Sequence, residues 1–202
     1  MKKLLLLLLS SMFVLTTLAA PKIEKDEIDD FTGDRRIYTS WVRYGTALGG
    51  RNGNLDQLQI RFETVNNRVF MRCIIVEDNS LSIRKGNELM IKMNNGKIIT
   101  CSAIDTDLGS PWGNVSGFRN YFIYQVRYEI GDINEILNGL IEKIRFYGTS
   151  TYTDRDVHKA NDIYKAAKIL KERLSLYYNM NKITEKSESE KAELDSLLNI
   201  KY

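Results

Sequence analysis

A single histidine, His158, restricts the acid–base and metal chemistry open to this 202-residue chain. Mechanisms that pair serine or cysteine with histidine need an imidazole to relay the proton. Any such mechanism must therefore use His158, which lies where the sequence pattern changes from strand to helix. That position favours a surface or capping role. We predict no catalytic residues of this kind, no enzyme activity and no cofactor.

Two aspartates, Asp105 and Asp107, have the spacing of the first ligands in a calcium-binding loop. A complete loop adds a third oxygen ligand, glycine at the sixth position and a bidentate glutamate at the twelfth. Here Gly109 is fifth and Ser116 is twelfth, so the pattern favours an ordinary turn over a metal site. The same carboxylates are the acid and base of an alternative hypothesis, a hydrolase of the cell envelope.

Two loops supply the candidate binding residues. The first, at 45–54, is rich in glycine but leads into a strand, so it lacks the context of a phosphate-binding loop. It carries Arg51, and the second loop, at 108–119, carries Trp112 and Phe118. Aromatic side chains on loops can stack on ligands, although Trp112 could equally close one end of the core. We predict a contact surface if both loops lie at the same end of the sheet.

The two cysteines, Cys73 and Cys101, are too few to staple a chain of this length, so it must form a hydrophobic core. Both occupy apolar positions of predicted strands, and burial makes a thiol unreactive. A catalytic thiol is therefore not expected. A disulfide between them and two buried free thiols both remain open.

The first residues have the organisation of a secretory signal peptide. A basic pair precedes an apolar run over 4–18, and small residues follow it. The run is shorter than the roughly 20 apolar residues of a spanning helix, and a charged stretch follows at 22–30. We predict that residues 1–19 are removed, because cleavage after Ala20 would place Pro21 at the scissile bond.

Composition and charge narrow the function classes. The chain is 43% hydrophobic and 27% charged, which excludes collagen-like, wholly disordered and disulfide-dense scaffolds. Its formal charge of +3 includes two lysines of the leader, so the mature protein is nearly neutral. A neutral exported protein has no strong field for a polyanion, which argues against nucleic acid as a partner. We expect a periplasmic or extracellular protein without a membrane span after cleavage.

The middle of the chain has apolar residues at a period of two between glycine and asparagine clusters, which predicts antiparallel strands. A two-residue turn at Asn66-Asn67 and a three-residue loop ending at Gly96 each give a hairpin in which the inward pairs match. The first hairpin pairs Leu58 with Ile75, Ile60 with Cys73 and Phe62 with Met71, and the second pairs Leu89 with Cys101 and Ile91 with Ile99.

Other elements follow the same patterns. Further strands are predicted at Arg36–Arg43, Asn120–Glu129, Leu140–Tyr147 and Tyr152–Val157, with a short helix at 132–138. A capping box from Thr153 to Asp156 is the alternative to the last strand. The stripe of Ala160, Ile163, Ala167, Leu170, Leu174 and Tyr177 predicts an amphipathic helix. A charged extension follows at 181–202, with a second short helix possible beyond Asn179 and Asn181.

Three segments resemble a group of small secreted proteins of unknown function from Bacteroidetes. They are KIEKDEIDDFTGDRRIYTSW at 22–41, RKGNELMIKMNNGKIIT at 84–100 and IEKIRFYGTSTYTDRDVHKANDIYKAAKIL at 141–170. The resemblance covers most of the mature chain and implies a β-sandwich-like fold with a helix near the C-terminus and an envelope location. It carries over no catalytic or ligand residues.

These observations predict one mainly β or α+β domain at 20–180, an antiparallel sandwich or curved sheet with a C-terminal helix. The leading functional hypothesis is a non-enzymatic binding module for a protein, glycan or cell-envelope component. The alternatives are the envelope hydrolase and a structural or assembly protein that acts through its C-terminal helix.

Overall fold

A curved antiparallel sheet dominates the computed structural model, which describes residues 20–44, 57–77, 81–115 and 119–199. Within these residues the strands are β1 (Ile23–Ile28), β2 (Arg35–Thr39), β3 (Val42–Tyr44), β4 (Leu58–Val65), β5 (Arg68–Glu77), β6 (Glu88–Met93), β7 (Ile98–Ala103), β8 (Ser110–Val115), β9 (Arg119–Glu129), β10 (Ile141–Tyr147) and β11 (Tyr152–Asp156). The helices are α1 (Ile133–Leu137) and α2 (Ala160–Asn199).

All described strands belong to one sheet. The order is β1-β2-β4-β5-β9-β7-β6-β10-β11, with β3 beside β4 and β8 beside β9. Neighbouring strands are antiparallel throughout. The mainly β fold with a C-terminal helix is therefore confirmed, in the form of a curved sheet rather than two stacked sheets.

Both predicted hairpins have the expected register. Leu58 lies opposite Ile75 across the β4–β5 turn, where Asn66 and Asn67 have φ of 48° and 67°. Asparagine tolerates this left-handed region better than most residues, because its short polar side chain can hydrogen-bond locally. Leu89 lies opposite Cys101 in the β6–β7 hairpin, and Gly96 supplies a φ of 85°.

The first half of α2 fills the hollow of the sheet. Its stripe of Ile163, Ala167 and Leu170 is fully buried, and the helix contacts both β4 and β10. These strands are five positions apart in the sheet, about 24 Å if it were flat. One helix can reach both only because the sheet curls around it. Burying a side chain such as Ile163 contributes about 1.5–3 kcal/mol.

The short helix α1 closes the core beside α2. Asp132 is its N-cap and accepts a hydrogen bond from the Asn134 amide at 2.9 Å. Ile133 and Ile136 are buried. The predicted short helix is therefore confirmed, and the segment predicted as strand Tyr152–Val157 forms β11 rather than a capping box.

Four elements differ in detail from the sequence analysis. The N-terminal charged stretch forms edge strand β1, and the second predicted loop contains strand β8. The predicted strand at Arg36–Arg43 divides into β2 and β3 at Ser40-Trp41. Helix α2 also continues through Asn179 and Asn181 to Asn199 instead of restarting. Asparagine costs an established helix well under 1 kcal/mol, because propagation needs no new nucleus.

Candidate binding surface

Of the residues predicted to bind a ligand, Trp112 is the one that lies within the described ranges. Arg51, Phe118 and the loop at 45–54 lie outside the described residues, as does the leader at 1–19. The backbone of Trp112 lies in β8, where the register with β9 shifts between Pro111 and Gly113. Trp112 therefore belongs to a strand rather than to a free loop.

The two aspartates of the hydrolase hypothesis have structural partners. Asp105 accepts hydrogen bonds from Nε and Nη2 of Arg127 at 2.7 and 2.9 Å. These bonds lower the pKa of Asp105, against the opposing effect of its partial burial. Asp107 accepts from the backbone amides of Gly109 at 2.8 Å and Gln125 at 2.7 Å. A general acid needs a raised pKa, so Asp105 is set in the opposite direction.

His158 makes a packing contact. Its ring lies edge to face against Tyr44, with centroids 6.2 Å apart. Within the described part of the chain, no three histidine, cysteine, aspartate or glutamate side chains are grouped to hold a metal ion. The weak metal candidates Asp105 and Asp107 are thus without a third ligand of these types there.

Cys73 and Cys101 are free thiols in the structure, and both are buried. Burial raises the pKa of both, that of Cys101 to about 11. Nucleophilic attack needs the thiolate, which is scarce so far below the pKa. Of the two alternatives that the sequence left open, the structure has the free thiols.

The outer face of the sheet carries an unusual row of charge. Arg61 on β4 lies opposite Arg72 on β5, and Arg72 lies opposite Arg127 on β9. Their side chains point away from α2, because the alternate positions on these strands fill the core. Like charges directly opposite each other destabilise a sheet unless nearby groups compensate them. We call these three residues the arginine face.

Aromatic rings hold the first arginine of this face. The Arg61 guanidinium lies 4.6 Å from the Trp41 ring centroid and 4.8 Å from that of Tyr38. It also donates through Nε to Glu63 at 2.6 Å. Cation–π contacts with two rings and a charge-assisted hydrogen bond restrict its rotamers. Arg61 therefore loses little further entropy when it binds a ligand.

The third arginine is held in a similar way. Arg127 forms the two-pronged contact with Asp105 and lies 6.0 Å from the Phe70 ring centroid. Arg68 covers the same ring at 5.4 Å, so Phe70 is only 3% exposed. The aromatic layer thus lies beneath the guanidinium groups, and the charges form the outer surface.

The charge of Arg72, the middle arginine of the row, is the least well compensated by carboxylates. Its Nη1 donates to Glu63 at 3.1 Å, but the same Glu63 oxygen also accepts from Arg61. The Arg72 Nε is buried and has no hydrogen-bond partner among the described residues. Glu63 and Asp105 are the carboxylates described in contact with the three guanidiniums, which leaves one positive charge in excess at Arg72.

A groove adjoins this face at Trp41. It has a volume of about 330 Å³ and is lined by Pro21, Glu24, Ser40, Trp41, Val42, Arg43, Lys159 and Asp162. This volume lies at the lower end of the range for small-molecule sites. Trp41 borders both the groove and the Arg61 guanidinium, but Lys159 and Asp162 place the groove beside the start of α2.

The alternation of β4 and β9 already placed Arg61 and Arg127 on the solvent side, but the arginine face was not predicted. The sequence does not indicate that β5 pairs with β9, because the two strands are separated by about 50 residues. The available signal was the outward position of Arg72 in the first hairpin, directly opposite Arg61. Two arginines in register on a wet face indicate either compensating acids or a ligand.

Comparison with protein-family models, curated proteins and solved structures finds no match for the chain. Among the described residues, no helix combines the length and apolar character needed to cross a bilayer.

Proposed function

We propose that this protein is an exported, non-enzymatic binding module that recognises a carboxylate-bearing glycan of the cell envelope through the arginine face. The observation that carries the proposal is the unmatched charge of Arg72 between Arg61 and Arg127. A guanidinium offers a planar fork that fits a carboxylate with two parallel hydrogen bonds. A ligand carboxylate at Arg72 would restore charge balance across the row.

Recognition must act by contact, since the mature chain is nearly neutral and has little long-range attraction for a polyanion. The arginine face meets this requirement because aromatic rings and carboxylates fix the outer two guanidiniums before the ligand arrives. Preorganised groups pay less conformational entropy on binding than free ones. A local site can thus bind an acidic ligand although the whole protein has no strong field.

The composition of the face favours a glycan over a protein partner. Protein interfaces usually have an apolar centre with aromatic anchors. Here Phe70 is covered by arginines, and the residues beside the row on β4 and β9 are Gln59 and Gln125 on one side and Glu63 and Glu129 on the other. Amides and guanidiniums suit the hydroxyls and carboxylates of sugars.

The hydrolase alternative gains no support from the geometry of Asp105 and Asp107. Arg127 holds Asp105 in its ionised form, and two backbone amides occupy Asp107. Neither carboxylate lines the groove beside Trp41. A binding role uses the same residues without asking Asp105 to donate a proton.

Export is the second part of the proposal, and the leader at 1–19 supports it. It is tested by fractionation of the native host followed by N-terminal sequencing. We expect a chain that starts at Ala20 in the periplasmic or extracellular fraction. An intact N-terminus in the cytoplasmic fraction would overturn this part and leave the binding part standing.

Binding is tested by calorimetry on the mature protein with polygalacturonate, a neutral polysaccharide and polyglutamate as probes. We expect binding to polygalacturonate alone. It should be at least about tenfold weaker for Arg72→Ala, since a charge-assisted contact is lost. Arg145→Ala is the matched control. Arg145 on β10 likewise donates two hydrogen bonds to an aspartate, Asp154, and its guanidinium lies 4.1 Å from the Tyr152 ring centroid.

Three results would overturn the glycan assignment: no binding to polygalacturonate, equal binding by Arg72→Ala, or preference for polyglutamate. The last result would indicate an acidic protein partner at the same face. Circular dichroism of each variant distinguishes a lost contact from a lost fold.

A further inference from the structure

The groove beside Trp41 is separate from the arginine face. Three parts of the chain enclose it: the segment that leads into β1, the turn from β2 into β3, and the start of α2. The arginine face lies on β4, β5 and β9, and its three arginines do not line the groove. A ligand in the groove would therefore contact different side chains from a ligand on the outer face of the sheet.

Two hydrogen bonds hold the first residues of the described chain against the β2–β3 turn. The Ser40 amide donates to the Lys22 carbonyl at 2.8 Å, and the Lys22 amide donates to the Ser40 hydroxyl at 3.1 Å. Pro21 and Val42, one residue beyond each of these bonds or two, are buried. The walls of the groove are thus held in place without a ligand, which lowers the entropy lost on binding.

One wall of the groove is apolar and aromatic. Trp41 is half-buried there, between the buried side chains of Pro21 and Val42. The Arg61 guanidinium lies 4.6 Å from the Trp41 ring centroid and restricts the ring through a cation–π contact. A ring fixed in this way offers an ordered surface against which an apolar or aromatic group of a ligand can pack.

Charges of both signs surround this wall. The cations are Arg43 and Lys159, and the acids are Glu24 and Asp162. Within the described part of the chain, the side chains of Glu24, Arg43 and Lys159 make no hydrogen bond or ion pair. The ion pair of Asp162, with Lys165, is long at 3.7 Å. The groove therefore has no net charge but has unpaired groups of each sign, which suit a ligand that carries both charges itself.

The size of the groove limits the ligand. At about 30 Å³ for each water molecule, its volume of about 330 Å³ corresponds to about eleven waters. A ligand of about twelve non-hydrogen atoms, the size of phenylalanine, takes up a similar space. An aromatic amino acid also has one ammonium, one carboxylate and one apolar ring, so it matches the groove in charge and in surface as well as in size.

We infer that the groove beside Trp41 binds a small zwitterion of the aromatic amino-acid type. The Arg43 guanidinium receives the carboxylate, since its planar fork fits two carboxylate oxygens, and Lys159 adds a second positive charge. Glu24 receives the ammonium, and the ring packs against Trp41. Each charged contact uses a side chain that has no partner within the described chain. This site is independent of the proposed glycan binding and adds a second class of ligand.

Calorimetry on the protein that begins at Ala20 tests the inference, with L-phenylalanine as the probe. We expect saturable binding at millimolar concentration. Three related probes each lack one feature: phenylpropionate has no ammonium, phenethylamine has no carboxylate and L-alanine has no ring. Each should bind at least about tenfold more weakly, because one charged or apolar contact is lost.

Variants assign each contact to a side chain. Glu24→Gln should weaken L-phenylalanine about tenfold but leave phenylpropionate unchanged, because that probe has no ammonium to lose. Arg43→Gln/Lys159→Gln should likewise weaken L-phenylalanine and leave phenethylamine unchanged. Glu27→Gln is the matched control, since Glu27 lies on β1 with Glu24 but does not line the groove. It should bind all probes as the wild type does.

Three results would overturn the inference: no saturable binding of L-phenylalanine, equal binding of phenylpropionate by the wild type, or full affinity for L-phenylalanine in a folded Glu24→Gln variant. Circular dichroism establishes that each variant is folded. Arg72→Ala should retain L-phenylalanine binding, and Glu24→Gln should retain polygalacturonate binding. Loss of one ligand with retention of the other therefore shows which of the two proposals fails.

Discussion

Arg155 on β11 forms an ion pair with Glu77 at the end of β5, although four other strands of the sheet lie between them. The Arg155 Nη2 also donates to the Val76 carbonyl at 3.0 Å, and the residue is only 8% exposed. Thr153 donates to the same Glu77 oxygen at 2.8 Å. This contact fastens the free edge of the curved sheet to its middle.

We predict that Glu77→Ala lowers the free energy of unfolding by about 3–5 kcal/mol, because it removes one partner of a buried ion pair. Urea denaturation measures the change. Asp154→Asn is the control. It removes the partner of Arg145 on the neighbouring strand, where both side chains are about one third exposed, and it should lose much less because solvent screens that pair. Similar losses in both variants would show that Arg155 is stabilised by other contacts.

The sequence predicted the elements in which the two faces of a strand differ. Leu58–Ile75 and Leu89–Cys101 follow from alternation, because a one-residue slip would bury the polar side. Strand β1 escaped prediction because IEKDEI is an edge strand without a buried face. Arg155 escaped it because YTDRD is polar at every position. Its burial depends on a contact with β5, almost 80 residues away, which no local pattern encodes.

Asp26 on β1 connects helix α2 to the sheet through a contact whose strength depends on pH. Its carboxylate accepts hydrogen bonds from Arg35 at 2.8 and 2.7 Å and also contacts Arg173 on α2. The bonds from Arg35, more than those from Arg173, lower the pKa of Asp26 against the effect of burial. A folded-state pKa below that of the unfolded chain stabilises the fold above about pH 4, and this contribution disappears as the pH falls through the folded value.

We therefore predict that Asp26→Asn costs about 1–3 kcal/mol at pH 7, the usual value of hydrogen bonds to charged groups. The difference from the wild type should shrink steadily as the pH falls below 4. Unfolding curves at several pH values measure it, with Asp30→Asn, at an exposed position, as the control. A difference independent of pH would mean that Asp26 acts through packing rather than through its charge.

The thiols give a chemical test of the core. Burial raises the pKa of Cys73 and Cys101, so both should resist alkylation in the native protein at neutral pH. We predict that protein purified without reductant gains two alkyl groups in urea and none, within the same time, when folded. Mass spectrometry counts the groups. A product that is alkylated only after reduction would indicate a disulfide and contradict the free thiols of the structure.

Gly148 allows the chain to turn between β10 and β11. A Cβ atom there would lie 1.7 Å from the backbone carbonyl oxygen of Leu81, and a backbone atom cannot move aside as a flexible side chain can. Gly33 offers a matched comparison, because a Cβ at that position meets nothing within 4 Å while its φ is 71°. A substitution at Gly148 therefore tests a steric clash, whereas one at Gly33 tests left-handed backbone strain.

We predict that Gly148→Ala lowers the free energy of unfolding by about 3 kcal/mol or more, and Gly33→Ala by about 1–2 kcal/mol. We expect the larger loss for Gly148→Ala because the turn is hydrogen-bonded to the segment that it would have to move away from. The Thr149 amide donates to the Leu81 carbonyl at 3.3 Å, and this bond breaks if the turn moves away from Leu81. Thermal and urea unfolding of both variants measure the losses. Equal losses would imply that the β10–β11 turn can shift away from Leu81.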